Sequence, residues 1–247
     1  MFDLAAASAA TARDFEAIIS RLDPLADADW QAPVRCEGWR VADLAAHVVG
    51  ASRGQAEGLR RAAAGRTDVS RLDPPAERDP RPLLAALKDG KERLLSALGD
   101  LPNRALNGLV PLQIVPLEYG FHRNDLEWAL GNQVPLSDDM SSTLLEIAPG
   151  LLPILAGGSP VSPAGVAPTT PTSFQLTAPA ARLLVAYGEG GWSIAPDDDR
   201  TAATCVISGD DSPVALFLMG RIGADHGSVT VSDFDVATAF KHYFPGP

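Results

Sequence analysis

The run PLEYGFHRNDLEWALG at residues 116–131 opens on a proline and closes on a glycine. Proline has a preset φ and no amide proton, which suits the first turn of a helix, and glycine suits the residue just past its end. Between them Leu117, Phe121, Leu126 and Ala129 fall at helical spacing, so the segment reads as a helix with an apolar side. On that helix Glu118 and His122 stand one turn apart and leave the same face. A carboxylate oxygen and an imidazole nitrogen are competent ligands for a divalent ion. A third ligand from another helix would leave positions open for water or substrate. The alternative is an ordinary surface or core-capping pair, and spacing alone leaves both open.

Upstream, Leu4, Ala7, Thr11, Phe15, Ile18, Ile19 and Leu22 predict an amphipathic helix over residues 3–22. Trp30 to Trp39, containing Pro33, Cys36 and Gly38, reads as an ordered loop. Val41, Leu44, Ala45 and Val48 then resume the helical period from Arg40 to about Arg53 or a turn beyond, with His47 at the border of the apolar stripe. His47 is the best third ligand. Gly65 to Pro82 is a loop rich in proline and charge, and Leu83, Leu84, Leu87, Leu94, Leu95 and Leu98 predict a third helix ending near Gly99.

Downstream, Ser141 to Leu155 predicts another helix, bent or broken around Pro149 to Pro153 because proline cannot donate a backbone bond. Gly157 to Pro171 has the Gly, Ser, Pro, Ala and Thr composition of a linker. The expected organisation is therefore a helical bundle over 1–156, a linker over 157–172 and a small mixed domain over 173–247. In the latter, Arg182–Tyr187 and Gly191–Ile194 flank a Gly188-Glu189-Gly190 turn as a hairpin, and Thr204–Ile207 and Val229–Val231 read as strands. Val214–Met219 and Asp235–Tyr243 read as helices. The fold class is α+β.

A chain of 247 residues with 46% hydrophobic and 21% charged residues can bury a sizeable core. No window approaches the roughly 18 consecutive apolar residues of a membrane helix, and Asp3, Asp14 and Glu16 interrupt the alanine-rich start. A membrane partner and a signal peptide are not expected. The net charge of −11, with scattered basic residues, also argues against a nucleic-acid surface. Cys36 and Cys205 form no C-x-x-C pair, so a reducing, cytoplasmic setting is expected.

Other side chains admit plainer roles. Asp125 and Asp43 could each accept the proton on the non-ligating nitrogen of His122 and His47, or be helix-surface charges. Arg123 and Glu127 read as an exposed ion pair. Cys36 has no positioned base and reads as a small buried hydrophobe rather than a nucleophile. His226 and His242 have no recognisable partners.

Two motifs carry a resemblance. The run PVRCEGWRVADLAAH at 33–47, preceded by Trp30, and the run EYGFHRNDL at 118–126, followed by Ala129 to Gly131, together resemble the mycothiol-dependent maleylpyruvate isomerase and thiol transferase family. The resemblance implies a DinB-like metal-binding bundle followed by a small sterol-carrier-like domain. It places the metal ligands at His47, Glu118 and His122, the ion being divalent and zinc foremost, with mycothiol as cosubstrate. It also matches Leu218-Met219-Gly220-Arg221 to a segment with a functional arginine. Arg221 would hold a carboxylate or sugar hydroxyls, although a cation facing helix C-terminal carbonyls is an equal reading.

The implied chemistry is a thiolate attacking a small electrophile. An isomerase adds it to a cis double bond, allows rotation and expels it; a transferase releases the adduct. A hydrolase using metal-bound hydroxide could use the same open site, and a non-catalytic metal-binding module is the third reading.

Overall fold

Leu4–Leu22 forms α1 and buries Phe15, Ile18 and Leu22, the side marked by its apolar spacing. A computed structural model describes residues 4–66, 74–101, 111–156, 166–197 and 202–244, the side chains of 111–114 and 153–156 excepted. Two compact units emerge, Met1–Val134 and Pro135–Pro247. The fold is α+β, with helices in both units and a mixed sheet in the second.

The first unit is a four-helix bundle of α1, α2 (Val41–Ala63), α3 (Pro80–Gly99) and α4 (Pro111–Ala129), in which α1 packs on α3 and α4, and α2 packs on the same two helices. Phe15, Leu44, Val48, Leu87, Leu94, Tyr119 and Leu126 are fully buried in its core. Helix α2 runs to Ala63, past the expected end at Arg53 or a turn beyond. Its start is held by Asp43, whose Oδ2 accepts from the Arg40 amide at 3.0 Å and whose Oδ1 accepts from Arg78 Nε at 2.6 Å. Asp43 is thus engaged at the helix terminus instead of supporting His47. The positive end of the helix dipole and the bare first-turn amides favour a carboxylate there.

Helix α4 starts at Pro111, so Pro116 lies inside the helix and not in its first turn. An interior proline removes one backbone bond, and Val115, Leu117 and Tyr119 are buried on either side of it. The helix closes where expected. Gly131, at φ 81°, donates to the Trp128 carbonyl at 3.0 Å, and Asn132 donates to Glu127 at 2.8 Å, which satisfies the last carbonyls. The expected Arg123–Glu127 pair does not form as such. Arg123 reaches buried Asp14 on α1 at 2.9 Å, and Glu127 accepts from Arg21 at 2.9 Å. Partners across a packed helix pair outcompete the neighbour one turn away.

The second unit is a five-stranded sheet in the order β3-β2-β1-β4-β5, with α5, α6 and α7. The strands are β1 (Thr172–Thr177), β2 (Arg182–Gly188), β3 (Gly191–Pro196), β4 (Cys205–Gly209) and β5 (Val229–Val231). The β2–β3 hairpin is antiparallel as expected, and β1 pairs parallel with β4. The expectations had no counterpart for β1, which buries Phe174, Gln175 and Leu176 at the centre of the sheet. Helices α6 (Asp211–Leu218) and α7 (Phe234–Tyr243) both pack on β4.

Helix α5 (Asp138–Ala156) belongs to this unit, packing on β3 and α6. The division therefore falls at residue 134, not at the Gly/Pro-rich run, of which residues 157–165 lie outside the described residues. Nor do Pro149 and Pro153 break α5, whose Leu144, Leu145, Ala148 and Leu152 are buried. Packing of that face outweighs the lost backbone bonds. Among the described residues no helix is long and apolar enough to cross a membrane.

Candidate metal centre

His47 reaches the site from α2 and Glu118 and His122 from α4, two helices that pack on each other. Glu118 Oε1 is their meeting point: His47 Nε2 lies 2.8 Å from it and His122 Nε2 3.4 Å. One ligand atom from each residue lies within 4.8 Å of the other two, close to the roughly 3–4 Å at which ligands share one ion with bonds of about 2.0–2.2 Å. The side chains of His47 and Glu118 remain 18% and 22% exposed, whereas that of His122 is only 5% exposed. The group can therefore be reached through His47 and Glu118.

Electrostatics favour an ionised Glu118. Burial opposes its charge, yet hydrogen bonds from His122 and His47 hold its carboxyl well below the ordinary range. Burial likewise disfavours a charged His122, but Asp125 and Glu118 outweigh it and raise its pKa to about 9. Burial and then the charge of Glu118 push Tyr119 well above its usual value. Tyr119 therefore stays a neutral phenol, donating to Gln55 Oε1 at 2.8 Å and stacked on Phe15 at 4.7 Å.

Behind His122, Asp125 Oδ2 lies 3.3 Å from Nδ1, as the spacing of the two residues suggested. Cys36 is buried as expected, but its Sγ lies 3.9 Å from that same carboxylate oxygen. The loop carrying it is a tight turn: the Trp39 amide donates to the Cys36 carbonyl at 3.1 Å, and Gly38 takes φ 77°, a conformation that favours glycine. Val34 then donates to the Trp39 carbonyl, and Pro33 bridges Arg40. The turn sets the Trp39 ring 4.9 Å from His47 and 6.5 Å from His122.

Sequence reasoning placed Trp39 in a motif without giving it a task, and its position eight residues ahead of His47 was the available signal. Arg221 belongs to the second unit, in the turn that ends α6. Its amide donates to the Leu216 carbonyl at 2.8 Å and its Nη1 to the Met219 carbonyl at 3.0 Å. That is the cation-on-carbonyls arrangement, with the side chain largely buried.

A four-helix bundle presenting two histidines and a carboxylate at one accessible point is an arrangement that could hold a divalent ion with positions to spare. Residues 9–125 match the family model described as mycothiol maleylpyruvate isomerase N-terminal domain. Two solved structures share the fold. One is the mycothiol-dependent maleylpyruvate isomerase, 18% identical over 94% of this chain and 93% of that one, with a TM-score of 0.63. The other is a histidine-to-alanine mutant of the same isomerase, with the same identity and coverage and a TM-score of 0.62. No curated protein sequence matches.

Proposed function

We propose that the chain is a metal- and mycothiol-dependent enzyme that activates a thiol for attack on a small electrophile, as a thiol transferase or a cis-trans isomerase of the maleylpyruvate type. The observation that carries this reading is the convergence of His47 Nε2 and His122 Nε2 on Glu118 Oε1, at 2.8 and 3.4 Å, within the region that matches the mycothiol maleylpyruvate isomerase N-terminal domain model.

The donor set fits a divalent ion, zinc foremost. Two imidazoles and an ionised carboxylate suit zinc, and three ligands leave room for a further one. When bound, the ion supplies the positive charge that lowers the pKa of a coordinated thiol. The protein's own contributions are the ionised state of Glu118, the burial of His122 and the ring of Trp39 beside both histidines. Arg221, always charged, is assigned to hold a carboxylate or the sugar hydroxyls of the thiol. The cytoplasm, where such a thiol stays reduced, is the setting this reading calls for.

The test is an assay of the full chain, stripped of metal and then given zinc and mycothiol separately and together, against maleylpyruvate and a panel of small electrophiles. Turnover should require both additions. Turnover with zinc but no thiol would instead indicate hydrolysis by metal-bound hydroxide, and zinc binding without any turnover would indicate a binding module.

A further inference from the structure

His122 has two ring nitrogens, and they face two different groups. Nε2 faces Glu118 Oε1 at 3.4 Å, while Nδ1 faces Asp125 Oδ2 at 3.3 Å. Asp125 is fully buried, and Cys36, 2% exposed, brings its thiol to the same oxygen at 3.9 Å. A buried carboxylate is costly unless it is given donors. Two of the groups facing it are the imidazole on its own helix and a thiol on the Cys36–Trp39 turn.

We propose that Asp125 and Cys36 are positioning residues: together they hold His122 as the Nδ1–H tautomer and so present the Nε2 lone pair to the side shared with His47 and Glu118. A neutral imidazole donates from one nitrogen and accepts at the other. Glu118 and Asp125 face opposite nitrogens of the ring. Glu118 already has His47 Nε2 at 2.8 Å and is partly exposed, whereas Asp125 is fully buried, so the single proton of the neutral ring is assigned to Nδ1. The Cys36 S–H, a weak donor, occupies the same oxygen and keeps the carboxylate turned toward the ring. The orientation of Cys36 is itself set by the tight turn, in which Trp39 donates to the Cys36 carbonyl at 3.1 Å.

Cys36, His122 and Asp125 also lie close enough to hold an ion themselves, and a thiolate would favour a soft one. The positioning role is preferred because all three are buried, whereas His47 and Glu118 leave the other group accessible. The inference rests on His122 being a ligand through Nε2, but its first test does not need an ion.

The experiment uses the full metal-free chain, with folding checked by circular dichroism. Nitrogen-15 NMR at a pH where the ring is neutral should show His122 as Nδ1–H. Asp125→Asn, whose amide can donate to Nδ1, should move the proton to Nε2, and Asp125→Ala should lose the preference. Cys36→Ser should behave as wild type and Cys36→Ala should weaken the preference. Zinc competition titrations should then show affinity about 10- to 100-fold lower in Asp125→Ala, a smaller loss in Cys36→Ala, and recovery in Cys36→Ser. With cobalt(II) as probe, no sulfur-to-metal charge-transfer band should depend on Cys36.

An Nε2–H tautomer in the wild type, or a tautomer unchanged in Asp125→Ala, would overturn the proposal. So would a cobalt band abolished by Cys36→Ser, which would make the thiol a ligand. If Asp125→Ala does not fold, Asp125→Asn and the Cys36 pair still decide. Absence of zinc binding in the wild type would defeat the proposed function, while the metal-free tautomer would still judge this inference.

Discussion

At the residue scale, His122 is both ligand candidate and proton store. Asp125 and Glu118 outweigh burial and raise its pKa from 6.5 to about 9. Because the folded value is the higher one, the group stabilises the metal-free protein fully below pH 6.5, and that contribution is lost as pH rises through 9. Zinc needs the ring neutral, so zinc affinity should rise by about tenfold per pH unit across the same window and then level off. Chelator competition at several pH values measures this; a flat profile would remove His122 from the ligand set. His122→Ala should lower metal content and turnover together. Arg221→Ala should leave metal content unchanged and impair turnover, by elemental analysis and thiol-transfer assay respectively. Undiminished turnover in Arg221→Ala would leave that side chain a structural role in the second unit.

The one-turn spacing of Glu118 and His122 was legible because helix geometry carries it directly. Their meeting with His47 was not, since it depends on how α2 packs on α4. Asp43 and Asp125 show the same limit. Both sit at plausible spacing from a histidine, yet only Asp125 engages one, because Asp43 lies in a first turn whose open amides compete for it.

At the element scale, the capping role of Asp43 makes a clear prediction. Asp43→Ala should destabilise the protein by about 1 kcal/mol, the usual scale of a lost helix cap, without changing zinc affinity. Denaturant melts and metal titration together test it, and a large loss of affinity would restore Asp43 as a support for His47. Gly38→Ala places a side chain at φ 77°, which costs about 1–2 kcal/mol, and should disturb the Trp39 ring beside the two histidines. A weakened near-ultraviolet tryptophan signal alongside lower stability is the expected result.

Helices with a regular apolar stripe, such as α1 and α3, were readable in outline. Strand β1 was not: Thr172-Ser173-Phe174-Gln175-Leu176-Thr177 is short and half polar, and it earns its central place only by pairing with β2 on one side and β4 on the other. The prolines of α5 misled for a related reason, since local propensity is a weak prior against a well-buried face.

At the scale of the whole molecule, the α+β class and the order of bundle before sheet followed from composition and periodicity. The boundary did not, because α5 is apolar enough to suit either unit and joins the second. All three proposed ligands lie within residues 1–134. A fragment ending at Val134, if it folds, should therefore keep zinc binding while losing thiol-dependent turnover along with Arg221. Equilibrium dialysis and activity assay would show it, and loss of zinc binding in a folded fragment would mean that the second unit helps to hold the ion.

The central claim is that one ion sits among His47, Glu118 and His122 and takes a thiol as a further ligand. Zinc-edge X-ray absorption on the full chain, before and after mycothiol is added, tests it most directly. Two imidazole nitrogens and a carboxylate oxygen at about 2.0–2.2 Å are expected, with a sulfur at about 2.3 Å appearing only after mycothiol. A spectrum unchanged by mycothiol, or an imidazole signature that survives in a folded His47→Ala, His122→Ala double variant, would contradict it.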